Sequence, residues 1–271
     1  MDGTLLLIGG GKMGGAMLEG WIARGLRPDQ AIVVEPDAAR GKALAGQTGA
    51  KTATGAEDLP GDLSPEVVVV AVKPQMMGDV VPHYRRFVRP GCVFLSIAAG
   101  TTIGYFETVL GAEARIVRAM PNTPAAVGRG MTVGCPNRHV DETQRKACDE
   151  LLQAIGKTAW VEDEALMDAV TGVSGSGPAY IFLLAESLAK AGEAAGLPAE
   201  LAKTLARQTV AGAGELLYQS PEEAATLRQN VTSPGGTTAE ALKVLMGPWG
   251  WQGVIDRAVA AATERSKELS S

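Results

Sequence analysis

The sequence predicts an α/β fold, a doubly wound sheet covered by helices, followed by a part built of helices alone. Three observations predict it. Val67-Val-Val-Val-Ala-Val72 and Val93 to Ile97 are apolar runs without alternation, as expected of strands buried on both faces of a parallel sheet. A short apolar run, Thr4 to Ile8, passes through a glycine cluster directly into a helical pattern. After about residue 163 the apolar residues recur only at helical spacing. The 271 residues therefore divide into an expected sheet domain, residues 1–163, and an all-helical domain, residues 164–271.

In chain order, the first strand ends at Gly9-Gly-Gly-Lys-Met-Gly14, after which Met17, Leu18, Trp21 and Ile22 line one helix face. Gly9, Gly11 and Gly14 fit G-x-G-x-x-G, with one glycine for the turn, one for close approach to a pyrophosphate and one for helix–strand contact. Among 34 glycines the pattern alone is weak. Set between a strand and a helix, it predicts a Rossmann-like dinucleotide site built from Gly9, Gly10, Gly11, Lys12, Met13 and Gly14. A second strand, Ala31 to Val34, ends at Glu35, about 20 residues past the turn. Glu35 has two readings: an acceptor for the ribose 2′-OH of NAD that repels a 2′-phosphate, or a solvated loop acid before Pro36-Asp37.

The Val67 run ends at Lys73-Pro74, the Val93 run at Ala98-Ala-Gly100, and a run from Arg115 to Arg118 at Met120-Pro-Asn-Thr-Pro124, with helical stretches such as Gln75 to Phe87 between them. Ligands of doubly wound sheets bind outside the carboxyl ends of the strands, so Lys73, Ala98, Ala99, Gly100 and Asn122 are expected around one crevice. Beyond Gly172-Val-Ser-Gly-Ser-Gly-Pro178, Tyr180, Leu183, Leu184, Leu188 and Ala191 mark a helix to Ala194. Gly196-Leu-Pro198 closes it and opens another, which carries the small-residue stretch Ala211-Gly-Ala-Gly214. Long apolar faces in this part are expected to bind a second subunit. Ser233-Pro-Gly-Gly-Thr-Thr238 closes a loop into a helix N-terminus, whose first N–H groups lack intrahelical partners and attract a carboxylate or phosphate. An ordinary capped helix is the other reading of that stretch.

Composition narrows the function classes. Apolar residues make up 46% and charged ones 20%, a globular balance, and the net charge of -5 with no basic run beyond Arg85-Arg86 speaks against nucleic acid and anionic membrane. Cys92, Cys135 and Cys148 are three, without C-x-x-C spacing, which points to a reducing compartment. Cys135 and His139 lack further ligands to complete a metal set and read as structural. No stretch approaches the about 18 apolar residues of a membrane span, and no leader pattern precedes the first strand, so a cytoplasmic protein is expected.

Gly9 to Gly14, Ala71-Val-Lys-Pro74, Ser96-Ile-Ala-Ala-Gly100, Arg118-Ala-Met-Pro-Asn-Thr-Pro124, Gly172 to Tyr180 and Ser233 to Thr238 together resemble the pyrroline-5-carboxylate reductase family, in its order and over essentially the whole chain. The resemblance implies a dinucleotide-binding domain followed by a helical domain that forms an interlocked homodimer, often assembled further into a ring of dimers, a homodecamer. It implies the last step of proline biosynthesis, reduction of the C=N bond of Δ1-pyrroline-5-carboxylate by NADPH or NADH. By the same resemblance Thr238 hydrogen-bonds to the ring nitrogen. Ser233, Gly235, Gly236 and Thr237 hold the substrate carboxylate, Ser176 lines the opposite wall, and Ala71, Val72, Lys73 and Pro74 border the cofactor. Lys73 reads as a cation beside the cofactor or as a strand-end side chain with its charge in water. Asn122 reads as a contact to the nicotinamide edge or as a loop-stabilising amide. Many members prefer NADPH and carry a small or basic residue where Glu35 stands, so this chain is expected to use NADH at least as well. Two competitors share parts of the pattern. A β-hydroxyacid dehydrogenase would take its catalytic lysine from Lys190 or Lys203, neither beside a glycine-rich loop, and a non-catalytic dinucleotide sensor would not need Ser233 to Thr238 intact.

Overall fold

The computed structural model describes residues 3–270. Eight strands, β1 (Leu5–Ile8), β2 (Ala31–Val34), β3 (Lys51–Ala53), β4 (Val67–Val70), β5 (Val93–Ser96), β6 (Ile116–Met120), β7 (Gly130–Pro136) and β8 (Gly156–Trp160), form one sheet in the order β3-β2-β1-β4-β5-β6-β7-β8. All neighbours are parallel except β6 and β7. The fold is the α/β, doubly wound, Rossmann-like class expected, followed by helices. Its strand order reverses between β1 and β4, because the chain winds outward from β1 through β2 to β3 and returns to the other side of β1. Such a reversal opens a crevice beyond the strand ends, since the connections leave β1 and β4 in opposite directions.

Side-chain alternation explains the burial of the central strands. Leu6, Ile8, Val68, Val70, Phe94 and Ile116 face one layer, with Tyr84, Phe87 and Phe106. Leu5, Leu7, Val67, Val69, Val93, Leu95 and Val117 face the other, with Met17, Leu18, Trp21, Leu151 and Leu152. Each fully buried large aliphatic side chain contributes about 1.5–3 kcal/mol, which is why these strands tolerate no polar face.

The covering helices are α1 (Lys12–Ala23), α2 (Ala38–Thr48), α3 (Met77–Val80), α4 (Ile103–Leu110), α5 (Glu142–Gln153) and α6 (Met167–Val170), followed by α7 (Gly177–Ala194), α8 (Ala199–Gln219), α9 (Ala224–Asn230), α10 (Thr237–Leu245) and α11 (Trp251–Ser270). Gln75 to Phe87, expected as a helical stretch, is helical throughout, with α3 set between two 3₁₀ segments. Pro82 has no N–H to donate there, so a continuous α ladder cannot run through the segment. The regular strand ends at Val70; the Ala71 N–H still donates to the Ile8 carbonyl at 2.8 Å, and Ala71 and Val72 border the cavity beyond it.

Two compact units result. One ends at Gly175 and takes up the chain again from Thr263; the other is Ser176–Ala262. Within the first, the returning end of α11 is fastened by Ser266 Oγ, which donates to Asp168 Oδ1 at 2.7 Å. In the second, α7 and α8 form a close hairpin through Ala189, Gly192, Ala202 and Ala206. Large apolar side chains remain uncovered in this unit, including Phe182 at 68% and Trp249 at 96% exposure. No helix among the described residues is long and apolar enough to cross a membrane. Cys92, Cys135 and Cys148 are free and buried.

Candidate functional site

The glycine turn follows directly from backbone sterics. Gly9 adopts φ +100°, and its N–H donates to the Val34 carbonyl at 2.9 Å. A Cβ on Gly14 would stand 2.1 Å from the Gly9 carbonyl oxygen, so only glycine lets α1 start this close to the end of β1. A Cβ on Gly11, in contrast, would meet nothing within 4 Å. Gly11 is the N-cap of α1 and no side chain caps it, which leaves the first N–H groups of the helix, at Lys12 and Met13, for an anion. Gly10 differs: its N–H donates to Glu35 Oε2 at 2.9 Å.

Gly9, Gly11, Glu35, Ala71, Val72 and Lys73 line one cavity of about 430 Å³, together with Val34, Arg40, Met76, His83 and Tyr84. Gly10, Gly11 and Lys12 line a neighbouring depression that also reaches Arg40. Met13 and Gly14 are turned to the core side of α1. Glu35 is 6% exposed; its Oε1 accepts the Asp37 N–H at 3.0 Å and lies 3.5 Å from Arg40 Nη1. The Tyr84 phenol is pushed up to about 12 by burial, with the Glu57 carboxylate adding and Arg86 opposing, so it stays a neutral donor at the cavity wall. Lys73 is exposed at the end of β4, and Pro74 starts the following 3₁₀ turn outside the cavity wall.

Ala98, Ala99, Gly100 and Asn122 lie farther along the sheet edge, after β5 and β6, and do not line that cavity. Ser96 Oγ accepts the Ala98 N–H at 3.3 Å, and Gly100 takes φ +73°. Asn122 is fully engaged: Nδ2 donates to the Ser174 carbonyl and hydroxyl at 3.2 and 3.3 Å, while Oδ1 accepts the Met131 N–H at 2.9 Å. It ties the β6 exit to the π turn Thr171–Gly175. Sequence reading did not identify this tie, nor the pair of the buried Arg118, through Nη1, with the half-buried Glu164, through Oε1, at 2.7 Å. The same Glu164 oxygen accepts the Ile103 N–H at 2.9 Å, at the start of α4. A basic residue inside an otherwise apolar strand was the available signal for that pair.

In the second unit, α10 begins as the loop sequence anticipated. Gly235 has φ +70°, Gly236 is the N-cap and donates its N–H to the Ser233 carbonyl, and Thr237 and Thr238 are the first helical residues. No side chain caps this helix, so the reading as an ordinary capped terminus loses its defining hydrogen bond. The first-turn N–H groups and the hydroxyls of Thr237 and Thr238 form a donor-rich loop suited to a small carboxylate. Ser176 is the half-buried N-cap of α7, likewise without a side-chain cap.

Lys190 and Lys203 are unsuited to act as proton acceptors. Lys190 Nζ donates to Glu186 Oε1 and Lys203 Nζ to Glu200 Oε1, and these bonds raise both ammonium pKa values, whereas a general base needs a lowered one. No group of three or more potential metal ligands occurs among the described residues.

The first unit fits a dinucleotide: an open glycine at an uncapped helix start for the pyrophosphate and a carboxylate at the end of β2 for a ribose, both on the wall of one cavity. Residues 164–269 match the family described as pyrroline-5-carboxylate reductase dimerisation, and residues 4–100 match that described as NADP oxidoreductase coenzyme F420-dependent. The chain is 38% identical to a pyrroline-5-carboxylate reductase of Pseudomonas aeruginosa, over 98% of this chain and 96% of the relative. The solved pyrroline-5-carboxylate reductase of Coxiella burnetii superposes with a TM-score of 0.94 at 36% identity, each chain covered in full. The pyrroline carboxylate reductase of Plasmodium falciparum, solved with NADP bound, gives a TM-score of 0.80 at 33% identity, covering 100% of this chain and 99% of that one.

Proposed function

The chain belongs to the pyrroline-5-carboxylate reductase family, and from that premise we propose how its own residues carry out the reduction of Δ1-pyrroline-5-carboxylate to L-proline, the last step of proline biosynthesis. NADPH or NADH supplies a hydride to the imine carbon, and the ring nitrogen gains a proton, so that C=N becomes CH–NH. Gly11 and the α1 N-terminus hold the pyrophosphate, with Gly9, Lys12 and Ala71 to Lys73 around it. Glu35 faces the adenosine ribose, and its fixed negative charge supports use of NADH at least as readily as NADPH. Lys73 places a cation on the same cavity. Asn122 acts through the loop it ties, and Ala98 to Gly100 form the adjoining strand-end wall.

Substrate recognition is assigned to the start of α10. Ser233, Gly235, Gly236 and Thr237 hold the carboxylate through N–H and hydroxyl donors, with Ser176 as a further wall. The Thr238 hydroxyl donates to the imine nitrogen or, when that nitrogen arrives protonated, accepts its N–H. No side-chain general acid is required, because the proton arrives with the substrate or through water. The uncapped Gly-Gly-Thr-Thr helix start is the observation that carries this assignment.

The functional division at residues 1–163 and 164–271 is supported by the dimerisation match, which begins at residue 164. The uncovered apolar faces of the second unit support a homodimer. Assembly of dimers into a ring and a cytoplasmic location, which the three free thiols support, complete the reading. The test is oxidation of NADH and of NADPH with Δ1-pyrroline-5-carboxylate. Thr238→Ala is expected to lower kcat on the order of 10²-fold while cofactor binding persists. Unimpaired turnover by Thr238→Ala would remove that assignment, and no oxidation by the native protein would remove the substrate.

A further inference from the structure

The corner where β2 meets α2 carries a charge arrangement that the reaction itself does not explain. Both oxygens of Glu35 are committed to main-chain donors, Oε2 to Gly10 N–H at 2.9 Å and Oε1 to Asp37 N–H at 3.0 Å. The carboxylate is 6% exposed, so its charge cannot swing away from whatever binds the ribose pocket. Asp37 is similarly committed through Oδ1, which caps α2 by accepting Ala39 N–H at 3.0 Å and Arg40 N–H at 3.1 Å. Arg40 is the loosely held member. Its guanidinium lies 3.5 Å from Glu35 and 3.8 Å from Asp37, long for hydrogen bonds, and its side chain is 53% exposed.

The cavity wall carries four carboxylates, Glu35, Asp37, Glu57 and Asp79, against two cations, Arg40 and Lys73. Lys73 leaves β4, on the other side of the strand reversal. Arg40 is therefore the cation that the β2–α2 corner offers among the described residues lining the cavity. Its Cβ, in the first turn of α2, points back toward the helix start and so toward the end of β2. A ribose carrying a 2′-hydroxyl needs nothing more than the acceptor Glu35 presents. A 2′-phosphate at the same place meets two fixed or half-fixed carboxylates and needs a counter-charge.

We propose that Arg40 is the specificity-determining residue at the ribose 2′ position: it leaves its weak pairs with Glu35 and Asp37 and takes a 2′-phosphate by paired N–H donors, so that a pocket built for the hydroxyl also admits the phosphate. This rests on the dinucleotide reading of the cavity and adds to it that NADPH use depends on one side chain. A guanidinium suits the task because its planar fork matches two phosphate oxygens.

The test uses the two halves of the question as ligands, 2′,5′-ADP and 5′-AMP, titrated calorimetrically into the full-length protein. Arg40→Ala is expected to weaken 2′,5′-ADP by about 10- to 100-fold and to leave 5′-AMP within about threefold. Arg40→Lys restores part of the 2′,5′-ADP affinity, with steeper loss in salt than the native protein shows. Lys73→Ala, on the other strand, weakens neither ligand selectively. Equal loss of both ligands in Arg40→Ala, or unchanged 2′,5′-ADP affinity, overturns the proposal. Native protein that binds both ligands but reduces no Δ1-pyrroline-5-carboxylate would sink the activity and leave this inference standing; native protein that reduces it but binds 2′,5′-ADP no better than Arg40→Ala does would sink this inference and leave the activity standing.

Discussion

The glycine turn supports a paired test, because two of its glycines are needed for different reasons. At Gly14 an added methyl would lie 2.1 Å from the Gly9 carbonyl oxygen, a backbone atom that cannot rotate aside. Restoring even a 3.0 Å contact requires α1 to move about 1 Å from β1, dragging Met17, Leu18 and Trp21 out of the core layer they share with Leu5 and Leu7. Overpacking of this kind costs about 3 kcal/mol, of which the better helix propensity of alanine returns about 1, for a net loss of about 2 kcal/mol. Gly11→Ala should behave in the opposite way. Gly11 has φ -67° and ψ -170°, a conformation open to any residue, and its Cβ meets nothing within 4 Å, so stability should change by less than about 0.5 kcal/mol. The new methyl would occupy the approach to the helix start, and the affinities for NADH and NADPH should each fall about tenfold or more. Urea denaturation and cofactor fluorescence titration separate the two effects. A Gly14→Ala protein as stable as the parent would refute the packing argument. Undiminished cofactor binding by Gly11→Ala would refute the placement of the pyrophosphate.

Three further outcomes are expected. Glu164→Ala strands the buried Arg118 guanidinium and the Ile103 N–H, and should lower unfolding free energy by about 3 kcal/mol; a loss under about 1 kcal/mol in denaturant titration would show that water replaces the carboxylate. Burial raises the thiols of Cys135 to about 11 and Cys92 to about 12, and Cys148 further still, whereas the unfolded chain releases these protons near pH 9. The raised folded pKa of an acid makes no contribution below the unfolded value. Stability should therefore hold to about pH 9 and then fall by about 1.4 kcal/mol per thiol per unit, the Cys135 share of the slope ending near pH 11 and the Cys92 share near pH 12. Cys148→Ala should fall less steeply, and equal slopes would contradict the assignment. Phe182→Glu puts a charge on the uncovered face of α7 and should shift the native assembly toward monomers in light scattering, whereas an unchanged mass would place the interface elsewhere.

Much of the molecule was legible in the sequence because it depends on local rules. Continuous valines mark a strand covered on both sides, and β4 is buried throughout. The glycine spacing marked a turn whose atoms indeed leave no room for side chains at Gly9 and Gly14. The Gly-Gly-Thr-Thr stretch marked a helix start, and α10 begins there. Strands β3, β7 and β8 escaped notice for physical reasons: β3 has three residues, β7 is interrupted by glycines and ends in proline, and β8 alternates only weakly. Their strand character comes from the neighbours they pair with, a tertiary effect that periodicity does not carry.

What the sequence by itself determined is the order of the elements, the position of the glycine turn and the residue types available for chemistry. Only the tertiary structure decided what those residues are free to do. Glu35 was recognisable by its spacing, yet the fold turns both its oxygens onto main-chain donors and brings Arg40 beside it. Asn122 stands in a loop where either reading was open, and the approach of Ser174 and Met131 commits its amide to holding that loop together. The physical reason is the same in both cases: a hydrogen-bonding group has few places for partners, and which partners fill them is set by segments distant in sequence that only folding brings near.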